Sequence, residues 1–190
     1  MASTVTSTSG RSGAREVRVW DPLVRLIHWG VALTVLINAF SEDESTFHAW
    51  VGYTAMGLVA IRLLWGLVGP PPARFSAFPP NPVAAVAHVR SILTGQRPIH
   101  LSHNPLGALM VYNLWLTLIA LGVTGYMMGT MRFFGIDWVE EVHEAAFAWL
   151  IASVALHVAG IVFDTWLTKV PLAKAMVTGR KTIRETARTE

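Results

Sequence analysis

The sequence contains no cysteine and little charge. Only 14% of its 190 residues are charged, whereas 53% are hydrophobic, and a soluble domain usually has about 25% charged residues. The missing cysteine excludes disulfides, thiolate zinc sites, cysteine-ligated iron–sulfur clusters and covalent c-type haem attachment. The composition therefore indicates an integral membrane protein, and the seven histidines become the main metal-ligand candidates.

Four apolar segments are long enough to cross a bilayer. About 20 residues of helix cross the hydrocarbon layer, and a spanning segment has to satisfy its own backbone hydrogen bonds. A shorter piece, 81–95, follows a proline-rich stretch and predicts an amphipathic helix at the membrane interface. The sequence therefore predicts an all-α fold, an integral membrane four-helix bundle with a short interfacial helix between helices 2 and 3. The four segments are 23–40, 47–68, 105–128 and 139–166.

The distribution of basic residues predicts the orientation of this bundle. Of the 15 lysines and arginines, Arg132 alone falls in either the 41–46 or the 129–138 segment. The positive-inside rule then places both termini in the cytoplasm, and we expect a multi-pass membrane protein in contact with membrane lipid. The basic residues are explained by topology, so nucleic-acid binding is not expected.

Three regions follow from this pattern. We predict a disordered N-terminal tail over 1–19, which is rich in serine, threonine, glycine and arginine. The four-helix transmembrane domain then covers 20–170, and a basic cytoplasmic C-terminal tail covers 171–190.

Four histidines lie within or at the edges of the spans, and they form two pairs by depth. In the predicted topology His28 and His157 lie at the inner depth, and His48 and His143 lie at the outer depth. His157 follows His143 by 14 residues, which is about 21 Å and nearly four whole turns, so both side chains face the same way. Ionisable residues within membranes are usually functional, and imidazole suits iron. The pattern favours bis-histidine ligation of two haems, with His28 and His157 at the inner haem and His48 and His143 at the outer haem.

Other interpretations of these histidines stay open from the residues alone. Each histidine could be a buried, hydrogen-bonded side chain. A proton relay would also use histidines, although it favours a ladder of depths over two matched levels. A zinc or copper site is a further interpretation, but a separation of about 21 Å keeps all four histidines from meeting at one ion.

Two arginines are candidate partners of haem propionates. Arg62 lies 14 residues after His48, and Arg25 lies three residues before His28, so each shares a helix face with a histidine. Guanidinium groups bind carboxylates through paired hydrogen bonds. Arg25 is explained at least as well by its place at the inner surface.

Candidate donors for a quinone lie in the connection between the second and third spans. A quinone beside the inner histidines would need hydrogen-bond donors there, and the connection offers His103, Asn104 and Arg74. A solvated loop is the competing interpretation of the same residues.

Five sequence motifs have a pattern that is characteristic when they are taken together. They are VWDPLVRLIHW (19–29), FHAWVGYTAMGLVAIRLLWGLVG (47–69), ARFSAF (73–78), HNPLGALMV (103–111) and VHEAAFAWLIASVALHVAG (142–160). These motifs resemble the bacterial cytochrome b561 family, which is related to the b-type cytochrome subunits of nickel–iron hydrogenases. The resemblance covers about residues 18–170 and implies a multi-pass protein of the bacterial inner membrane.

This resemblance implies a four-helix bundle with two non-covalent b haems, whose ligands match His28, His48, His143 and His157. It implies electron transport between the membrane quinone pool, ubiquinone included, and a periplasmic redox partner such as a c-type cytochrome of a respiratory chain. A quinone reductase and a quinol oxidase activity are both compatible with this role. One alternative is a superoxide oxidase that passes electrons to ubiquinone, and another is a haem-bearing membrane-anchor subunit of a dehydrogenase or hydrogenase.

Acidic residues gather on the predicted outer side, where they would attract a basic redox protein and repel superoxide. Loops that are acidic only because of topology are the competing explanation. A haem-free transporter or proton channel is the remaining rival from a different functional class. The acidic residues are Glu42, Asp43, Glu44, Asp137, Glu140 and Glu141.

Overall fold

The computed structural model describes residues 14–41, 45–96 and 103–184, and it is predominantly helical. Residues 1–13, the N-terminal part of the predicted disordered tail, lie outside the described residues, as do Glu42, Asp43 and Glu44. The helices are α1 (Pro22–Ala39), α2 (Thr46–Val68), α3 (Pro82–Leu93), α4 (Pro105–Met128), α5 (Asp137–Thr168) and α6 (Leu172–Thr178). Two short strands, β1 (Ala14–Arg18) and β2 (Arg180–Arg184), and two 3-10 turns, Pro71–Ala73 and Phe75–Ala77, complete the described part of the fold.

Four of the helices, α1, α2, α4 and α5, are long and apolar enough to cross a membrane. Only 11–17% of the residues in their most apolar stretches are buried within the protein, so few of these apolar side chains are fully enclosed by protein and the others could contact lipid. The prediction of an all-α membrane bundle is confirmed, and α3 lies where the short helix between helices 2 and 3 is expected.

An Asx–Pro pair begins three of the helices. Asp21 accepts hydrogen bonds from the backbone N–H groups of the first turn of α1, and Asn81 and Asn104 do the same for α3 and α4. The proline that follows each cap needs no hydrogen-bond partner and already has a helical φ angle. These pairs fix where the helices begin.

Neighbouring helices pack in the order α1, α2, α4, α5, and α3 lies against α4. Val59, Leu118 and Leu150 form a core shared by α2, α4 and α5. Gly66 lets the Phe75 ring lie against α2, because a Cβ at this position would collide with that ring. Within the described residues, α5 is not closely packed against α1 or α2 along the backbone.

The two ends of the bundle differ, and we name them by the segments they hold. The loop end carries the end of α1, the start of α2 and the connection at 129–136. The terminal end carries the start of α1, the end of α2, and both described chain ends. There β1 and β2 form an antiparallel two-stranded sheet, in which Val17 lies opposite Lys181.

The terminal end has a small hydrophobic core of its own. Trp20, Val24, Ala73 and Ala175 are buried together there, and the carbonyl of Gly179 accepts hydrogen bonds from the chain just after β1. Residues 14–18, within the predicted disordered tail, form β1. The predicted C-terminal tail, 171–190, contains α6 and β2 in its described part. β2 pairs with β1, and α6 packs onto the start of α1.

Candidate functional site

His48 and His143 face each other near the loop end. His48 lies in the first turn of α2, and its backbone N–H is capped by Ser45. His143 lies in the second turn of α5. The centroids of the two rings are 6.4 Å apart, and the ring planes are inclined by 59°. The structure therefore brings together the two histidines predicted to share the outer depth.

A hydroxyl group anchors each of these rings through Nδ1. The Nδ1 atom of His48 is 2.9 Å from Ser41 Oγ, and that of His143 is 2.8 Å from Thr124 Oγ1. Each hydroxyl also donates to a backbone carbonyl, Ser41 to Asn38 at 3.1 Å and Thr124 to Ala120 at 2.8 Å. A hydroxyl has only one proton to donate, so it accepts from the imidazole.

The consequence is a defined tautomer for both rings. When Nδ1 carries the proton and donates it to the hydroxyl, Nε2 carries the lone pair. Metal-ligating histidines are commonly held in this way by a partner on the other ring nitrogen. Nε2 of each ring therefore carries the lone pair that a bond to a metal requires.

The separation of the rings fits a metal ion between them. A metal–imidazole bond is about 2 Å, and the ring centroid lies about 1 Å behind the nitrogen, so two imidazoles on opposite sides of one ion have centroids about 6 Å apart. The observed 6.4 Å agrees with that arrangement. Gly125 lies against the same ring, since a Cβ there would be 3.4 Å from His143 Cε1.

His28 and His157 lie nearer the terminal end, and they interact electrostatically with each other. His28 is on α1 and His157 on α5, two helices that are not closely packed along the backbone within the described residues. The Nδ1 atom of His28 is buried and has no hydrogen-bond partner. Buried polar atoms in folded proteins usually have a hydrogen-bond partner. An Nδ1 atom without one fits a ring that has a further bound group beside it.

The two histidine levels are well separated. His143 and His157 are 14 residues apart on one helix, about 21 Å along its axis. Within the described parts of the chain, no three histidine or acidic side chains converge on a possible ion site. The four histidines therefore form two separate pairs and do not meet at one four-histidine zinc or copper site.

Arg62 is a buried cation with unused hydrogen-bonding capacity. It is 6% exposed, it donates through Nη2 to the carbonyl of Ala73 at 3.0 Å, and its Nη1 is buried with no hydrogen-bond partner. The guanidinium lies 5.2 Å from the ring centroid of Trp115 and 6.0 Å from that of Phe78. An anionic carboxylate at Nη1 would satisfy the remaining donor.

Arg25 has a structural partner that the sequence did not reveal. Its Nη1 donates to the carbonyl of Val177 near the end of α6, where a positive charge also favours the helix dipole. Its Nε is buried without a hydrogen-bond partner. Arg25 therefore links α1 to α6, and its predicted role at a propionate has less support than that of Arg62.

The three quinone candidates are placed differently from one another. His103 lies between aromatic rings, 4.9 Å from Trp20 and 4.7 Å from Phe78 by ring centroids. Asn104 caps α4 and donates to Asp164 Oδ2 at 3.2 Å. Arg74 is exposed and donates through Nε to the carbonyl of Gly69 at 2.6 Å.

His103 is a neutral histidine at physiological pH. Burial, together with the positive charges of Lys181 and Arg62, lowers its pKa to about 3. A neutral imidazole keeps one N–H donor and one acceptor nitrogen, as a hydrogen-bonding partner of a neutral oxygen compound would require.

Four residues of this region were not singled out from the sequence. Ser41 and Thr124 anchor the outer rings, while Asp164 and Lys181 lie near His103. One feature of the sequence could have pointed to the two hydroxyls, since each lies near a predicted span end on the outer side. No such feature points to Lys181, because it lies in a basic tail of the sequence and its burial depends on the pairing of β2 with β1.

The comparisons with known proteins agree with this geometry. A model of the prokaryotic cytochrome b561 family matches residues 19–179, a range that contains all four histidines. Comparison with curated proteins and with solved structures gave no match. The family supplies the group that the facing histidines fit, a b-type haem for electron transfer in a bacterial membrane. The chain therefore belongs to the prokaryotic cytochrome b561 family.

Proposed function

We propose that the protein transfers electrons across the bacterial inner membrane through two b haems, between the quinone pool and a periplasmic redox partner. The observation that carries the proposal is the facing pair of His48 and His143, whose 6.4 Å centroid separation and hydroxyl-anchored Nδ1 atoms would suit two ligands of one iron. Family membership supports b-type haem as the group. When bound, the haems supply one-electron oxidation and reduction.

The chain itself supplies ligands and orientation. His48 and His143 would hold the outer iron, and His28 and His157 the inner one. The hydroxyls of Ser41 and Thr124 keep the outer rings in the ligating tautomer. This reduces the entropy lost when the iron binds, because the rings are already oriented.

Arg62 is the better supported of the two propionate candidates. Its buried Nη1 has no hydrogen-bond partner, and a buried cation is stabilised by a hydrogen-bonded anion. Its position 14 residues after His48 on α2 puts it at the depth of the inner histidines. We assign Arg62 to a propionate of the inner haem.

A quinone would bind at the terminal end, near His103. The neutral imidazole of His103 and the side chain of Asn104 are the hydrogen-bonding groups there, and Phe78 and Trp20 supply flat apolar surfaces. Arg74 is an exposed residue of the same connection, and it is a further candidate to contact the quinone where the quinone enters the site. Ubiquinone is the expected quinone.

An acidic stripe at the loop end favours a basic redox protein, such as a c-type cytochrome, as partner. The stripe recurs at intervals of three and four residues, so its members share one face of α5, and all are exposed. Complementary charge increases the rate of encounter, whereas the same stripe repels superoxide. The described members are Asp137, Glu140, Glu141 and Glu144.

The first prediction concerns the pairing of the ligands. We expect His48→Ala and His143→Ala to remove the same haem component from the reduced-minus-oxidised absorbance spectrum, because both ligate one iron. His28→Ala and His157→Ala should both remove the other component. His88→Ala, on α3, is the control and should retain both. Loss of different components in His48→Ala and His143→Ala would refute the pairing.

The second prediction concerns the hydroxyl anchors. Thr124→Val keeps the shape of the side chain but removes the acceptor for His143, and losses of this kind reduce metal affinity about 10–100-fold. We expect a loss of that order at the outer haem in a haem titration of the solubilised protein. Thr117→Val is the matched control, since the Thr117 hydroxyl on the same helix donates to the carbonyl of Asn113. Equal effects in the two variants would contradict the proposed anchor.

The third prediction concerns orientation. The chain has no native cysteine, so single substitutions can be labelled selectively. We expect a membrane-impermeant maleimide to label Met131→Cys, at the loop end, in intact spheroplasts. Lys174→Cys, at the terminal end, should react only after the membrane is permeabilised. The opposite pattern would invert the proposed topology.

A further inference from the structure

Lys181 is a buried lysine on β2, in the two-stranded sheet at the terminal end. It is 4% exposed, while its neighbour on β2, Arg180, points outward and forms a salt bridge with Glu16 at 3.2 Å. Successive side chains of a strand point to opposite faces, so the pairing of β2 with β1 turns Lys181 inward. The antiparallel register with Val17 opposite Lys181 fixes this choice.

The surroundings of Lys181 connect it to the inner histidine level. Its Nζ lies 6.0 Å from the ring centroid of Trp20, and the Trp20 ring lies 4.9 Å from that of His103. Lys181 interacts electrostatically with Asp164 and with His103, which in turn interacts with His28 and His157. Lys181, Trp20 and His103 therefore form a layer next to the inner pair, on its terminal side.

Asp164 belongs to the same layer. It lies seven residues after His157 on α5, about two turns along the same face. Its Oδ2 accepts a hydrogen bond from Asn104 at 3.2 Å. The layer thus holds the cation Lys181 from β2 and the anion Asp164 from α5, together with Asn104 at the start of α4.

Packing alone does not explain a lysine at this position. Burying a charge is costly, and burial here lowers the pKa of Lys181, while Asp164 raises it. A methionine would fill the space beside Trp20 without that cost. The positive charge of Lys181 therefore needs an explanation other than packing.

We propose that Lys181 is an electrostatic residue of the inner haem site, where its charge stabilises the reduced haem and raises its reduction potential above the value set by the histidines alone. This rests on the proposed function, since it requires an iron between His28 and His157. A nearby cation favours the redox state with the extra electron, and burial weakens the screening of that effect by solvent and salt. Asp164 acts in the opposite direction.

Redox titration of the purified holoprotein tests this inference. We expect Lys181→Met to lower the midpoint potential of one haem, the component removed by His28→Ala, and to leave the other unchanged. Lys181→Arg keeps the charge and should stay close to wild type. Lys174→Met removes an exposed cation from neighbouring α6 and should shift neither haem, because solvent screens it.

A second variant keeps the test decisive if Lys181→Met does not assemble. Asp164→Asn retains an oxygen acceptor for Asn104 but removes the opposing charge, so the same component should move to higher potential. A merely structural role of this layer would alter thermal stability without shifts of opposite sign. Unchanged potentials in Lys181→Met or Asp164→Asn with both haems bound would overturn the inference alone. A wild-type protein with fewer than two haems would overturn the proposed function, and this inference with it.

Discussion

Two hydrogen bonds between a hydroxyl and an imidazole set the chemistry at the loop end. Ser41 and Thr124 each donate their proton to a helix carbonyl and accept one from a histidine ring. Both rings are then held as the Nδ1–H tautomer, with centroids 6.4 Å apart. Both bonds are made by groups of the protein itself, so the ring orientation is part of the fold rather than a consequence of cofactor binding.

The terminal end is organised by a different constraint, the joining of the two chain ends. β1 and β2 pair across the whole length of the described chain, Arg25 links α1 to the end of α6, and Trp20 packs with Ala175 and Ala73. The resulting layer covers the inner histidine level and places Lys181 and Asp164 beside it. Lys181, near the start of β2, thus belongs to the electrostatic surroundings of His103, although the two residues are far apart in sequence.

Long helices and their faces could be predicted from the sequence, because span length and the 3.6-residue repeat are local properties. The boundaries of α4 follow from Asn104–Pro105 and Gly129, and the depth of each histidine follows from the topology. The partners of Ser41, Thr124 and Arg25 depend on which helices meet, and this is not a local property. The terminal sheet was missed for the same reason: β1 is short and charged, and only its distant partner makes it a strand.

The central claim is that four histidines hold two b haems at two depths. The most direct measurement is the haem content of the purified protein, determined by pyridine haemochrome against protein concentration and combined with electron paramagnetic resonance of the oxidised state. The account predicts two b haems per chain, both with low-spin ferric signals of bis-imidazole ligation. One haem per chain, or none, would contradict it.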